Sequence, residues 1–191
     1  MSRINTKNKK RGFTLIEIMV AVSVFMVVMV ISSGSILSVF NANQKSKTLR
    51  SVMDNLNLTL ESMSRTIRFG ENYHCGSAGD PTQPSDCPSS PGYSSNLTVK
   101  AFDGTQTTYS LSSGRIVRTT PSGIYNMTSG DVTITKLAFR VYGSLPFNTP
   151  DLLQPQVIIV VGGYVGSSNK PLNQSTFSLE TTVSQRKLDF Q

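Results

Sequence analysis

The chain has 191 residues and a formal net charge of +7, from 18 lysines and arginines against 11 acids. That length holds one domain with a real core plus an appendage; 15% charged residues, no tryptophan and abundant Gly, Ser, Thr and Asn read as a β-rich, exposed or secreted domain rather than a cytosolic enzyme. The charge carries no nucleic-acid reading: Arg3, Lys7, Lys9, Lys10 and Arg11 precede Phe13, and the other 13 basic residues nearly balance the 11 acids, leaving +2.

The first element is "KRGFTLIEIMVAVSVFMVVMVI", Lys10 to Ile31. Between Phe13 and Ile31 the polar residues are Thr14, Glu17 and Ser23. The run is about as long as a helix needs to span a bilayer, and too long for the apolar part of an ordinary signal peptide. No small-x-small site closes it cleanly, Ser33-Gly34-Ser35 being the nearest candidate. The basic leader fits a cytoplasmic amino terminus with the remainder translocated. Glu17 is the anomaly. An ionised carboxylate in hydrocarbon costs roughly 2.5–3.5 kcal/mol on insertion scales. Taken alone, it reads as a tolerated group that snorkels to water or stays protonated.

The stretch "KKRGFTLIEIMVAV" resembles the amino-terminal signature of type IV pilins and of the pseudopilins of type II secretion. The resemblance rests on a basic leader, Gly12, Phe13, Thr14-Leu15-Ile16, Glu17 and an apolar run in fixed order, and is close over about residues 9–31. It implies a membrane peptidase that cuts after Gly12 and methylates the new amino terminus on Phe13. It implies that Glu17 serves assembly. Physics supports the last point, because the amine freed on Phe13 of a neighbouring subunit would offset the desolvation of Glu17 and be offset by it. The partners implied are the prepilin peptidase, other pilin or pseudopilin subunits, the inner-membrane assembly machinery and the lipid bilayer. Many pilins carry a helix-breaking proline here, but no proline occurs between Met1 and Gly70. Gly34 is the one soft point.

From Asn41 to Thr48 the chain turns polar, as suits a helix leaving the membrane. Leu49, Met53, Leu56, Leu60, Met63 and Ile67 then recur at helical spacing, an apolar stripe that reads as packing onto a sheet. Gly70 is the expected stop. The whole gives one helix from Phe13 to Phe69. Residues 71–95, rich in proline, glycine and serine, read as a loop. Cys75 and Cys87 lie twelve apart in it, and an even cysteine count behind a membrane-targeting start favours a disulfide in an oxidising compartment. His74 offers a metal alternative with the two cysteines, but one histidine and scattered acids make a poor zinc set.

After Asn96 the period is two. Leu97, Val99 and Ala101 alternate, Asp103-Gly104 reads as a type I′ turn, and Thr105 to Leu111 returns. Ser113-Gly114 introduces Arg115 to Thr119. Asp131 to Tyr142 shifts phase near Lys136, which predicts a bulge or two short strands. Val157 to Val161 is apolar throughout and reads as a central strand; Phe177, Leu179, Thr181 and Val183 form the last. The fold class is therefore α+β, a long amino-terminal helix packed on an antiparallel β-sheet, which is also the pilin plan. The divisions are a leader (1–12), an assembly helix (13–40), an amphipathic half (41–70), a disulfide loop (71–95) and a sheet domain (96–191).

Other motifs carry less. "VVGGYVG" lacks the spacing of a dinucleotide turn and is not followed by a helix opening, "SSNKP" coming next. The sequons at Asn57, Asn96, Asn126 and Asn173 are what chance gives in such a composition. Arg115, Arg118, Lys136 and Arg140 could gather on a sheet face and touch DNA, but aromatics are not interleaved with them. Solvated strand charges are the preferred reading. No catalytic set emerges, and no cofactor or metal is called for. The sequence thus predicts a non-enzymatic, pilin-like structural subunit of the cell inner membrane with its carboxy-terminal domain outside the cytoplasm, assembled into a type IV pilus or a type II pseudopilus. The alternative is a single-pass anchored or secreted β-domain that binds a ligand or DNA without polymerising. Within the family, the absent proline, the long loop and a mature length of 179 residues (191 less 12) are similar to a minor, J-type pseudopilin.

Overall fold

A computed structural model of the chain describes residues 12–88, 92–145, 153–166 and 174–187. The leader before Gly12, the sequon at Asn173 and the "SSNKP" stretch fall outside these residues. The chain divides into two units, Met1–Lys47 and Thr48–Gln191. One helix, α1 (Leu15–Phe69), passes through the division.

In the first unit α1 is apolar on every side as far as Phe40, and no side chain of Leu15 to Lys47 is buried. By length and composition this helix can cross a membrane. Its serines do not disturb that. Ser23, Ser33 and Ser35 each donate the hydroxyl to the carbonyl four residues back, at Met19, Met29 and Ile31, so none needs water. The helix continues unbroken through Gly34.

In the second unit the helix turns amphipathic. Val52, Leu56, Thr59, Met63 and Ile67 are buried along one stripe, with Leu49, Met53 and Leu60 packed beside them. Each aliphatic side chain fully removed from water contributes roughly 1.5–3 kcal/mol. The stripe faces two antiparallel sheets rather than the one expected. The first has the order β1 (Glu71–Cys75), β2 (Leu97–Lys100), β3 (Gln106–Ser112), β4 (Arg115–Thr120), β5 (Gly123–Asn126). The second has the order β6 (Val132–Tyr142), β7 (Gln156–Val165), β8 (Ser175–Ser184). Tyr73, Leu97, Tyr109, Ile116, Phe139, Ile159 and Val161, all at most 1% exposed, join the helix in one core. The fold class read from the sequence, a long helix on antiparallel sheet, holds.

Several details differ. The β2–β3 connection is not a type I′ turn: the Gly104 amide donates to Ala101 O at 2.9 Å, and only Gly104 has positive φ (+82°), not Asp103. With Ala101 N–H bonded to Thr105 O, it is a three-residue loop with a glycine bulge. The paired positive φ of a type I′ turn occurs instead at Ser113 (50°) and Gly114 (72°), where Ser112 faces Arg115. The phase shift in β6 is a bulge between Ile134 and Lys136. Opposite it, a Cβ on Gly163 would strike Thr133 O and crowd the Phe177 ring. Gly163 of "VVGGYVG" is thus a strand glycine that lets β6 and β8 close on β7. β7 is the central strand of its sheet, as its apolar run predicts.

Gly70 does end the helix, though not by a left-handed turn. A Cβ there would lie 2.6 Å from Val99 Cγ2 and 2.8 Å from Thr66 O, so the glycine permits the close approach of β2. The last carbonyls of α1 find partners in Tyr73 Oη, 2.7 Å from Ile67 O, and the Arg186 amide, 2.8 Å from Arg68 O. Burial pushes the Tyr73 phenol well above its ordinary range, with the Glu71 charge adding to it.

Glu71–Cys75, expected as loop, is a strand, and β5 was not expected at all. Residues after β1 then tie the two sheets together. Cys75 N–H donates to Ser85 O and Ser85 N–H to Tyr73 O along the outer edge of β1. A few residues on, Cys87 N–H reaches Val141 O, and Ser94 exchanges two hydrogen bonds with Phe139 on the outer edge of β6. The Asp86 carboxylate accepts from Gly143 and Ser144 amides at 3.1 and 2.8 Å. The segment has no periodicity because it belongs to two edges in turn.

Candidate functional site

Gly12, Phe13 and Thr14 precede the helix. Thr14 caps it: its carbonyl accepts from Glu17 N–H at 3.1 Å and Ile18 N–H at 3.3 Å, and its Oγ1 accepts from Glu17 N–H at 3.4 Å. Thr14 and Glu17 are the residue types of a capping box, Thr-x-x-Glu, with Glu17 at its third helical position. A carboxylate there also meets the positive end of the helix dipole. Thr14 is a functional residue the sequence reading passed over, although the Thr-x-x-Glu signal was present.

Nothing in the fold asks for glycine at position 12. No heavy atom lies within 4 Å of where its Cβ would be, and its φ is not left-handed. Phe13 is 79% exposed. Phe13, Glu17, Ile18, Ala21, Val22 and Phe25 line one shallow concavity along the helix. Glu17 is exposed there and forms no ion pair among the described residues. The site thus offers a carboxylate in an apolar stripe, a projecting aromatic and a glycine free of internal constraint. Chemically it can receive a cation; it holds no nucleophile with a base.

The structure joins Cys75 to Cys87, with their Cα atoms 5.1 Å apart. Cys75 lies on β1, and Cys87 sits against β6, its Sγ accepting from Val141 N–H at 3.2 Å. The bond is therefore part of the tie between the sheets. His74 does not join a metal set: no cluster of three or more His, Cys, Asp and Glu side chains occurs among the described residues.

The four strand cations divide between the sheets, Arg115 and Arg118 on β4, Lys136 and Arg140 on β6. Aromatics do accompany two of them, against expectation. Arg140 lies 4.5 Å from the Tyr142 ring centre and 5.5 Å from that of Tyr93, and Arg118 is 5.5 Å from that of Tyr125. Tyr142 stands two residues on from Arg140 in β6, on the same face, whereas Tyr125 comes from β5 and Tyr93 from the loop before β2, so spacing along the chain reveals only the first. The hydroxyl residues of three sequons, Thr59, Thr98 and Thr128, are buried and hydrogen-bonded. They are structural threonines.

Residues 7–33 match the family model described as the prokaryotic N-terminal methylation motif. No curated protein and no solved structure is matched by the chain.

Proposed function

We propose that this chain is a pilin-like structural subunit, made as a precursor, cut after Gly12, methylated on Phe13 and polymerised through α1. The observation that carries the reading is the methylation-motif match over residues 7–33 on a helix whose apolar side chains from Leu15 to Phe40 have no cover among the described residues. Apolar surface of that extent requires a bilayer or neighbouring helices. Glu17 then meets the Phe13 ammonium of a neighbour, and the unconstrained Gly12 is read by the peptidase rather than by the fold. The basic leader stays cytoplasmic, the helix crosses the inner membrane once, and the sheet domain lies outside. The divisions are a leader to residue 12, an assembly helix over 13–40, an amphipathic half over 41–70, a disulfide loop over 71–95 and a sheet domain beyond. The role is structural rather than catalytic. Among pilin-like subunits, the proline-free helix and the large loop favour a minor, J-type-like pseudopilin.

Intact-mass analysis of the protein from its native envelope tests the reading. The expected wild-type chain begins at methylated Phe13, and Gly12→Arg leaves an uncut precursor in the membrane. A wild-type chain that retains Met1 to Gly12 overturns it.

A further inference from the structure

His74 is the chain's single histidine and is 3% exposed. It stands on β1 opposite Thr98 of β2, beneath the residues that run from Gly76 to Ser85. Both ring nitrogens point at carbonyl oxygens: Nδ1 lies 2.8 Å from Gln83 O and Nε2 2.8 Å from Ala78 O. A neutral imidazole has one N–H and one lone pair. In this setting it fills one contact and aims its lone pair at a carbonyl lone pair in the other. The doubly protonated ring donates to both.

We propose that the disulfide loop closes on His74 as the doubly protonated imidazolium, which clamps Ala78 and Gln83 and makes the order of the loop depend on pH. The clamp spans the middle of the covalent ring closed by Cys75 and Cys87, so protonation holds the part of the loop that the disulfide leaves free. The neighbouring charges agree with a cation here. Asp80 stands in the same loop, where the Thr82 amide and then the Thr82 hydroxyl hold its carboxyl below the usual range. Asp86 is committed to the Gly143 and Ser144 amides. On β1 itself, Glu71 is taken by Lys100 and Lys187. From β2 the facing residue is Thr98, which is uncharged. The sign follows from the donors: the protonated ring belongs to the closed loop, so closure is complete at acid pH and is lost as pH rises.

Because there is one histidine, its ring nitrogens can be followed without ambiguity in the full-length, isotope-labelled chain in detergent micelles. As pH is raised, the ring should pass from two N–H groups to one in step with loss of amide protection from Gly76 to Ser85. A ring that loses its proton while these amides stay protected overturns the proposal. The second readout is reduction of Cys75–Cys87 by a phosphine, taken as the ratio of wild type to His74→Gln so that the reagent's own pH dependence cancels. The ratio should rise several-fold across the same titration; a flat ratio overturns the clamp.

Discussion

The helix α1 contains two apolar stretches that solve the same problem in opposite ways. From Leu49 to Phe69 the apolar residues form a stripe, and the chain covers it with its own sheets, leaving Leu56, Met63 and Ile67 with no exposed surface. From Leu15 to Phe40 they run all round the helix, and the chain covers none of them. A helix of the first kind is a core element, whereas one of the second kind needs another phase or another molecule around it. Glu17 lies in the second, where an unpaired carboxylate is most costly. The comparison teaches that the core surface and the proposed assembly surface lie in separate stretches of one helix.

The sharpest way to break the comparison is to cut one side chain from the core that the first stretch joins and an equal one from the second stretch. Phe139→Ala should destabilise the sheet domain by about 3–5 kcal/mol in a urea melt, since the ring is fully buried. Phe25→Ala, 60% exposed in the other stretch, should leave that melt unchanged. Equal losses would show that the two regions are one stability unit after all. Next in size is the disulfide. Replacing both cysteines by serine should cost about 3 kcal/mol in the chain-entropy model for a loop of this length. Amide exchange should then rise first at the β6 edge, where Cys87 and Ser94 pair, because the covalent tie between the sheets is gone.

Much of this was legible in the sequence, and the rest was hidden for physical reasons. The second half of the helix shows a period of 3.6, β2, β3, β6 and β8 a period of two with one shift in β6, and β7 a continuous apolar run. β1 shows no such pattern, because Tyr73 faces the core while His74 is covered by the loop, so both sides are buried. Asn72, at a φ of 55°, further breaks its register. β5 is only Gly123–Asn126, with Ile124 71% exposed, too short and open for an apolar pattern. The division into two sheets is set by edge pairing from residues 85–94, which leaves no periodic trace. Within the site, Glu17 stands out because a carboxylate conflicts with an apolar span, whereas Gly12 and Phe13 were read from the motif's resemblance to a family. Thr14 was missed because a threonine in such a run raises no conflict.

The smallest expected effect concerns Glu71, which holds Lys100 at 3.0 Å and Lys187 at 3.2 Å. The Lys100 contact, then that of Lys187, keeps its carboxyl below its ordinary value of 4.5. A depressed carboxyl stabilises the fold above that pH and loses its contribution as pH falls below it. The group is more than a third exposed, so solvent screening limits the effect to about 0–1 kcal/mol. Glu71→Gln should remove this acid-side slope in a pH series of melts, lowering stability by that amount above the carboxyl's titration and leaving the acid end nearly unchanged. An unaltered slope would place it elsewhere.

The central claim is that Glu17 is kept for a neighbour and not for its own chain, and filament incorporation of Glu17→Val tests it most directly. The substitution should leave cleavage after Gly12 intact, lower the insertion cost and keep the sheet domain folded. Incorporation, measured by shearing filaments and immunoblotting, should nonetheless fall sharply, because the neighbour's Phe13 ammonium would be buried without a partner. Glu17→Asp should be intermediate, retaining the charge on a shorter arm. A Glu17→Val subunit that enters filaments as well as wild type would contradict the account and leave the carboxylate with no role beyond the first turn of its own helix.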